Sequence, residues 1–403
     1  MPKFVWEKLL RLSLIATMSL SLIVTIGCGG SGGGIPSPTP SPSPTPSPSP
    51  TPNPSPTPTP VANGEFLFVG NSLSSLNLSS ISISTGALSA PAPATVQGND
   101  EAIYPGVAVT PSKKFLYASF SSFTVIEGYT ISGPDVTLTP LKNSPFFPVS
   151  TEPMNSMVLD PTGRFLYVIS SSTIEEHAVN VDTGDLTFVS DRTEAVADFR
   201  VAIIDTVGKF LFATDLTGGR IFAYQINQTD GSLSAVAGSP FALPGGNLPS
   251  IDVIDSTGNF LYVSQFAGGL AAFAINPTTG ALTNVTGSPF PTNSGGVPVF
   301  LAVDPVGKFL YVCNSNGTID GFGVDPNTGI LAQVPGSPFN TAPSLAANIA
   351  IDPLGKFAYV SNPLNSTIYG FALNATSGTL TAIPGSPFPA IPQVENLYIV
   401  KFP

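Results

Sequence analysis

FLAVDPVGKFLYVCNSNGTIDGFGVDPNTGILAQVPGSPF, residues 300–339, reads as four short strands separated by turns. FLAV (300–303) is a first strand, DPVGKF turns the chain, and FLYV (309–312) is a second strand. A third runs from Thr318 to Val324, DPNTG turns again, and a fourth runs from Ile330 to Val334 before the loop PGSPF. In the first turn Asp304 is suited to accept backbone N–H groups, Pro305 pre-sets φ, and Gly307 supplies a positive φ, which is hairpin chemistry. The second strand is apolar at every position, so both of its faces must be buried. A sheet of this kind needs a neighbour on each side.

The neighbours are further copies of itself. GEFLFVG at 64, KKFLYAS at 113, GRFLYVI at 163, GKFLFAT at 208, GNFLYVS at 258, GKFLYVC at 307 and GKFAYVS at 355 carry the same phrase, with anchoring aromatics spaced 49, 50, 45, 50, 49 and 48 residues apart. A period near fifty built of short strands predicts a propeller. The first copy opens on its second strand at Glu65, whereas the last is complete by Gly385 and the chain continues as PQVENLYIVK. That tail aligns with SLAANIAID of the preceding copy, so Leu397–Val400 supplies the missing first strand of blade one. The expected fold is all-β: seven four-stranded antiparallel blades over residues 61–403, closed by the C-terminal strand, with no sheet edge left open at the seam.

Ahead of the repeats, Lys3, Lys8 and Arg11 precede an uncharged apolar run from Leu12 to Ile26 that ends at Gly27-Cys28. This resembles a bacterial lipoprotein signal over residues 1–27, and the resemblance implies lipidation of Cys28. Residues 28–60 are Gly-rich, then alternate Pro with Ser, Thr or Asn, the composition of a polyproline II tether. At about 3.1 Å per residue the Pro-rich part spans roughly 80 Å. The expected address is the cell envelope, at the outer membrane or cell surface, with the membrane met through the lipid anchor. The formal charge is −11, and loss of the leader, with three basic residues and one acidic, takes it to about −13. Such a surface repels a phosphate backbone, so nucleic acid is excluded as a partner. With Cys28 lipidated, Cys313 has no partner for a disulfide. The repeat array must supply stability from its own core.

Most conspicuous polar residues have structural roles in this reading. Asp160, Asp205, Asp255, Asp304 and Asp352 each open the same turn in five different blades, so they cannot converge on a metal. No metal or cofactor is expected. His177, the one histidine, lies in TIEEHAVN where other copies have Tyr224, Phe273, Phe322 and Phe371, and is read as a substituted core aromatic.

The DPxGKFLYV turn and strand, the TGxL turn and the GSPF loop together resemble the lactonase-type seven-bladed propellers, a group that includes bacterial phosphogluconolactonase and YVTN-type surface repeats. That resemblance covers residues 61–403 and implies the seven-bladed fold and, for the catalytic members, lactone opening. Catalytic members carry a His five residues before the turn acid; here those positions are Pro105, Asn155, Arg200, Ser250, Val299, Ala347 and Asn396. The motif that carries lactone opening is absent, although Arg200 retains the capacity to polarise an oxyanion or hold a carboxylate. Function is expected on the face that bears the longer, variable connections. The candidate ligand-binding residues are Arg200, Glu152, Asn155, Asp198, Arg220, Glu395 and Asn396, with Arg200, Glu152 and Asp198 as the local constellation of opposite charges. Asp100, Glu101, Tyr104, Asn348 and Asp215 complete the set expected near that face. The favoured reading is a lipid-anchored monomer that binds a small molecule, polysaccharide or protein at this face. The alternative is a lactone hydrolase that works through charged residues at the channel mouth.

Overall fold

The computed structural model describes residues 64–402 apart from 72–75, 95–105, 121–124, 134–135, 246–247, 267–268 and 342–344. Residues 1–63, with the leader, Cys28 and the tether, and also Asp100, Glu101 and Tyr104, lie outside the described residues. Those described form seven antiparallel sheets and no helix.

The repeated phrase folds as its chemistry requires. In blade six the second strand, Phe309–Asn314, is buried at every residue. The turn before it is held by Asp304, whose Oδ1 accepts the N–H groups of Lys308 at 2.6 Å and Phe309 at 2.7 Å. Asp160, Asp205, Asp255 and Asp352 make the same pair of bonds in their own blades. In blade two a hydroxyl replaces the carboxylate, and Phe115 N–H donates to Thr110 Oγ1 at 3.1 Å. The five acids therefore have the turn role expected of them.

The same phrase also joins each blade to the next. Tyr311 donates its hydroxyl to the carbonyl of Gly378, in the turn between the third and fourth strands of blade seven, at 2.7 Å. Tyr117, Tyr167, Tyr262 and Tyr359 repeat the bond to Gly184, Gly231, Gly329 and Gly86 at 2.7–3.0 Å. The Phe two residues earlier packs on that same glycine: a Cβ on Gly378 would lie 2.4 Å from the ring of Phe309. The basic residue before the Phe reaches across as well, Lys308 Nζ to Ala375 O at 3.4 Å and Arg164 Nη2 to Gln228 O at 3.0 Å. Lys, Phe and Tyr of GKFLY thus dock one blade onto its successor, with apolar clusters filling the space between sheets.

Closure follows the predicted scheme. Val394–Lys401 pairs antiparallel with Glu65–Asn71, setting Phe66 opposite Val400 and Phe68 opposite Tyr398. Two differences from the sequence reading appear at the outer edges. Fourth strands are shorter than expected, as in Leu331–Gln333, because Val334 N–H turns inward to Gly321 O. The GSPF segment is not wholly loop: in blades four, six and seven its Phe begins a two-residue strand against the third strand. Ser337, before a cis Pro338, there accepts the N–H of Gly321 at 2.9 Å. Blade three lacks this device and carries an eight-residue outer strand, Leu186–Thr193.

Candidate functional site

In blades two to seven the turn of the DPxGKF type and the turn between third and fourth strands share one end of the sheet. The other end bears the loop between second and third strands and the connection to the next blade. Arg200 stands at this second end as residue two of the first strand of blade four, Phe199–Ile204. Its Nε lies 3.5 Å from Asp198 Oδ1, and the two side chains are 38% and 12% exposed. That Nε is buried and makes no hydrogen bond, so the contact is ionic.

Glu152, Asn155 and Arg220 are committed to the framework. Glu152 accepts the N–H and Oγ–H of Ser172, at 3.0 and 2.9 Å, and so caps the loop of blade three. It takes part in none of the ion pairs among the described residues. The expected triad of Arg200, Glu152 and Asp198 is therefore a pair, because the serine hydroxyl and amide hold the Glu152 carboxylate. Asn155 donates from Nδ2 to Phe199 O at 2.7 Å, tying the first strand of blade three to that of blade four beside Arg200. Arg220 donates from Nε to the fully buried Asp215 at 2.8 Å and from Nη2 to Val196 O at 3.1 Å, and its guanidinium lies over Phe222. Asp215 Oδ1 in turn accepts the N–H of Asp198 at 2.9 Å. A chain of contacts thus runs from Arg220 through Asp215 to the segment that carries Asp198 and Arg200. Asn396 occupies the closing strand opposite Gly70, and Glu395 precedes it.

His177 is 4% exposed in the third strand of blade three, in the interior position its alignment implies. It is not simply a replaced aromatic. Its Nε2 lies 3.2 Å from Oε2 of the buried Glu175, and its ring meets Phe188 edge-on at 5.9 Å. Glu175 also accepts the N–H groups of Val149, at 2.9 Å, and Ser150, in the connection from blade two. Burial pushes the Glu175 carboxyl up, but the bonds from His177, Ser150 and Val149 outweigh it and hold the group below its ordinary value. Beside it Glu176 accepts the N–H of Leu233, and burial holds its carboxyl above the ordinary range. The available signal was two adjacent acids in a strand whose counterpart, TIYGFALN, has none. Among the described residues no group of three or more His, Cys, Asp or Glu is placed to hold a metal ion.

This architecture defines a class, the closed seven-bladed β-propeller with its variable connections gathered at one end. Residues 242–338 match the family described as lactonase, 7-bladed beta-propeller. The periplasmic gluconolactonase of Pseudomonas aeruginosa superposes with a TM-score of 0.71 at 20% identity, over 84% of this chain and 100% of that one. Provisionally assigned 6-phosphogluconolactonases of Bacteroides uniformis and Bacteroides fragilis give 0.71 and 0.70 at 18% and 19% identity, over 84% and 85% of this chain and 100% of each of theirs. No curated protein matches the sequence. By fold the chain is a closed seven-bladed β-propeller, and its fifth and sixth blades match the lactonase family.

Proposed function

We propose that this propeller is an envelope-held binding module that takes a sugar acid, or a related anionic or carbonyl-bearing small molecule, at the end bearing the variable connections. The observation that carries the reading is Arg200: a partly exposed cationic side chain at the start of an inner strand, whose ion pair is the 3.5 Å contact with Asp198, while Glu152, Asn155 and Arg220 are bonded into the frame. A guanidinium recognises a carboxylate through paired N–H donors. Catalysis is a different requirement. Opening a lactone at neutral pH calls for a group that activates water, and the one imidazole is interior and bonded to Glu175. Anchoring through a lipidated Cys28, on a Pro-rich tether and as a monomer, belongs to the same proposal.

The second reading is a lactone hydrolase, favoured by the family match and by the gluconolactonase of Pseudomonas aeruginosa among the structural neighbours. In it Arg200 polarises the carbonyl and Asp198 or another acid at the channel mouth takes the proton role. One experiment separates the two. The full chain is titrated with aldonates and with the matching lactones while proton release is followed. Binding without turnover above buffer is the expected result, with Arg200→Ala weakening affinity roughly ten- to a hundredfold, the worth of a charge-assisted hydrogen bond. Turnover well above buffer that is lost in Arg200→Ala establishes the hydrolase instead, and no saturable binding of either ligand class removes the first reading.

A further inference from the structure

Three blades place an acid at the third residue of their third strand, near the end that bears the connections: Glu127, Glu175 and Asp320. They differ in the donors they receive, and Glu175 has the most. Glu127 accepts the hydroxyl of Tyr129, and Glu175 accepts two backbone N–H groups of the preceding blade's connection as well as His177. Asp320 is one methylene shorter than Glu175, and the connection beside its blade, PTNSGGV at 291–297, sends it no N–H. Its Oδ2 accepts one bond, from Asn314 Nδ2 at 3.0 Å. Its Oδ1 has no partner.

Asn314 does not relieve this. Its amide nitrogen also donates to Val312 O and Thr318 O, each at 3.3 Å, which fixes the amide orientation and leaves Oδ1 without a partner. Both side chains are fully buried. Gly296 closes the site from above, so near that a Cβ there would meet Asn314 Cβ at 2.8 Å. Among the described residues, no Lys, Arg or His forms an ion pair with Asp320. A desolvated carboxylate with one neutral donor is strongly disfavoured unless a proton neutralises it or a positive charge accompanies it. The two side chains are bonded to each other, and the remaining oxygen of each, one carboxylate and one amide, is acceptor-only and of the kind that ligates hard cations. Asn314 and Asp320 hydrogen-bond to no second acid, so a single positive charge balances the site and a divalent ion would leave one charge uncompensated.

We propose that Asp320 Oδ1 and Asn314 Oδ1 belong to a buried site for a monovalent alkali cation, taken here as sodium, beneath the connection from blade five to blade six. The inference is independent of what binds at Arg200. It is tested by melting the purified full chain in sodium chloride and in N-methylglucamine chloride at equal ionic strength, with sodium-23 relaxation as a direct measure of occupancy. For a body of this size the melting temperature should rise by about 2 °C for each tenfold excess of sodium over its Kd, and not with the organic cation. Asp320→Asn keeps shape and removes charge. It should fold, lose the sodium-dependent shift and lose the relaxation signal. An equal response to both salts, an undiminished sodium response in folded Asp320→Asn, or a calcium response at Asp320 in place of sodium overturns the proposal. If the variant fails to fold, absence of specific sodium relaxation in the wild type still overturns it.

Discussion

Glu175 and His177 show how one charged residue changes the meaning of its neighbour. Alone, a buried imidazole at an aromatic position is a packing substitute. Beside a buried carboxylate that also draws Val149 and Ser150 N–H inward, it becomes part of a latch between the connection from blade two and the third strand of blade three. Replacing Glu175 by Gln keeps volume but exchanges an acceptor-only carboxylate for a group that cannot accept from all three donors, at a cost of about 1–3 kcal/mol. The sign of the pH dependence follows from the shift. The folded carboxyl is held below its ordinary value of 4.5, so its contribution is present above that value and is lost as pH falls through the lower, folded one. The stability gap between wild type and Glu175→Gln, read by urea titration, should therefore be full at pH 7 and shrink only in the acid range below 4.5. A gap independent of pH down to the acid unfolding limit would argue against an ionised latch. His177→Phe should stay folded with unchanged ligand binding, since it removes one donor and leaves both N–H bonds. His177 was legible as interior from its alignment with Phe322 and Phe371. The latch was not, because its donors lie 25 and 26 residues away in a connection with no repeat phrase to align.

At the scale of elements, the repeated phrase encodes contacts between blades as much as strands within them. Strand positions were legible because FLYV has no polar face and because Asp and Gly mark the turn, both local signals. The role of Tyr was not, since its acceptor lies in the next blade, 67 residues on in the case of Tyr311. Blade four supplies a natural contrast: Phe212 stands at the Tyr position, and Phe210 packs on Gly280 in blade five. Tyr311→Phe should therefore fit without strain yet leave the Gly378 carbonyl unpaired, at about 1–2 kcal/mol. Phe212→Tyr should gain a bond to Gly280 and be neutral to stabilising. Chemical denaturation of both variants checks the pair, and a loss in Phe212→Tyr as large as that in Tyr311→Phe would show that the hydroxyl is not what joins the blades. Gly378→Ala is a harsher case. It needs φ +72 with a side chain and sets a Cβ 2.4 Å from Phe309, so overpacking of about 1–3 kcal/mol adds to backbone strain.

For the whole molecule, stability depends on a ring that has no end. Blade one holds only three strands from the N-terminal side, and the fourth arrives from Val394–Lys401 after the chain has passed through the six other blades. Counting strands in the sequence was enough to foresee this, because an unpaired inner strand at one terminus and a surplus one at the other admit a single joining. The end proposed to carry function was legible only topologically, since Ser172, Phe199 and Val196, which bond Glu152, Asn155 and Arg220, lie in loops and at a strand start that carry no repeat phrase. Removing residues 394–403 takes away Val394, Leu397 and Val400, all buried, together with the ladder to Glu65–Asn71. At roughly 1.5–3 kcal/mol for each buried apolar side chain, the side chains alone approach a domain's margin of about 5–15 kcal/mol. The truncation also strips the inner strand from blade one, opening the ring between blades seven and two and leaving Phe66 and Phe68 without Val400 and Tyr398 opposite them. The truncated chain should be insoluble, or show no cooperative melt by circular dichroism. A peptide of residues 394–401 supplied in trans should partly restore the melt in a concentration-dependent way, because the strand joins through backbone pairing to an exposed edge. A soluble truncated chain that melts cooperatively near the wild-type temperature without the peptide would show that the seam does not hold the ring.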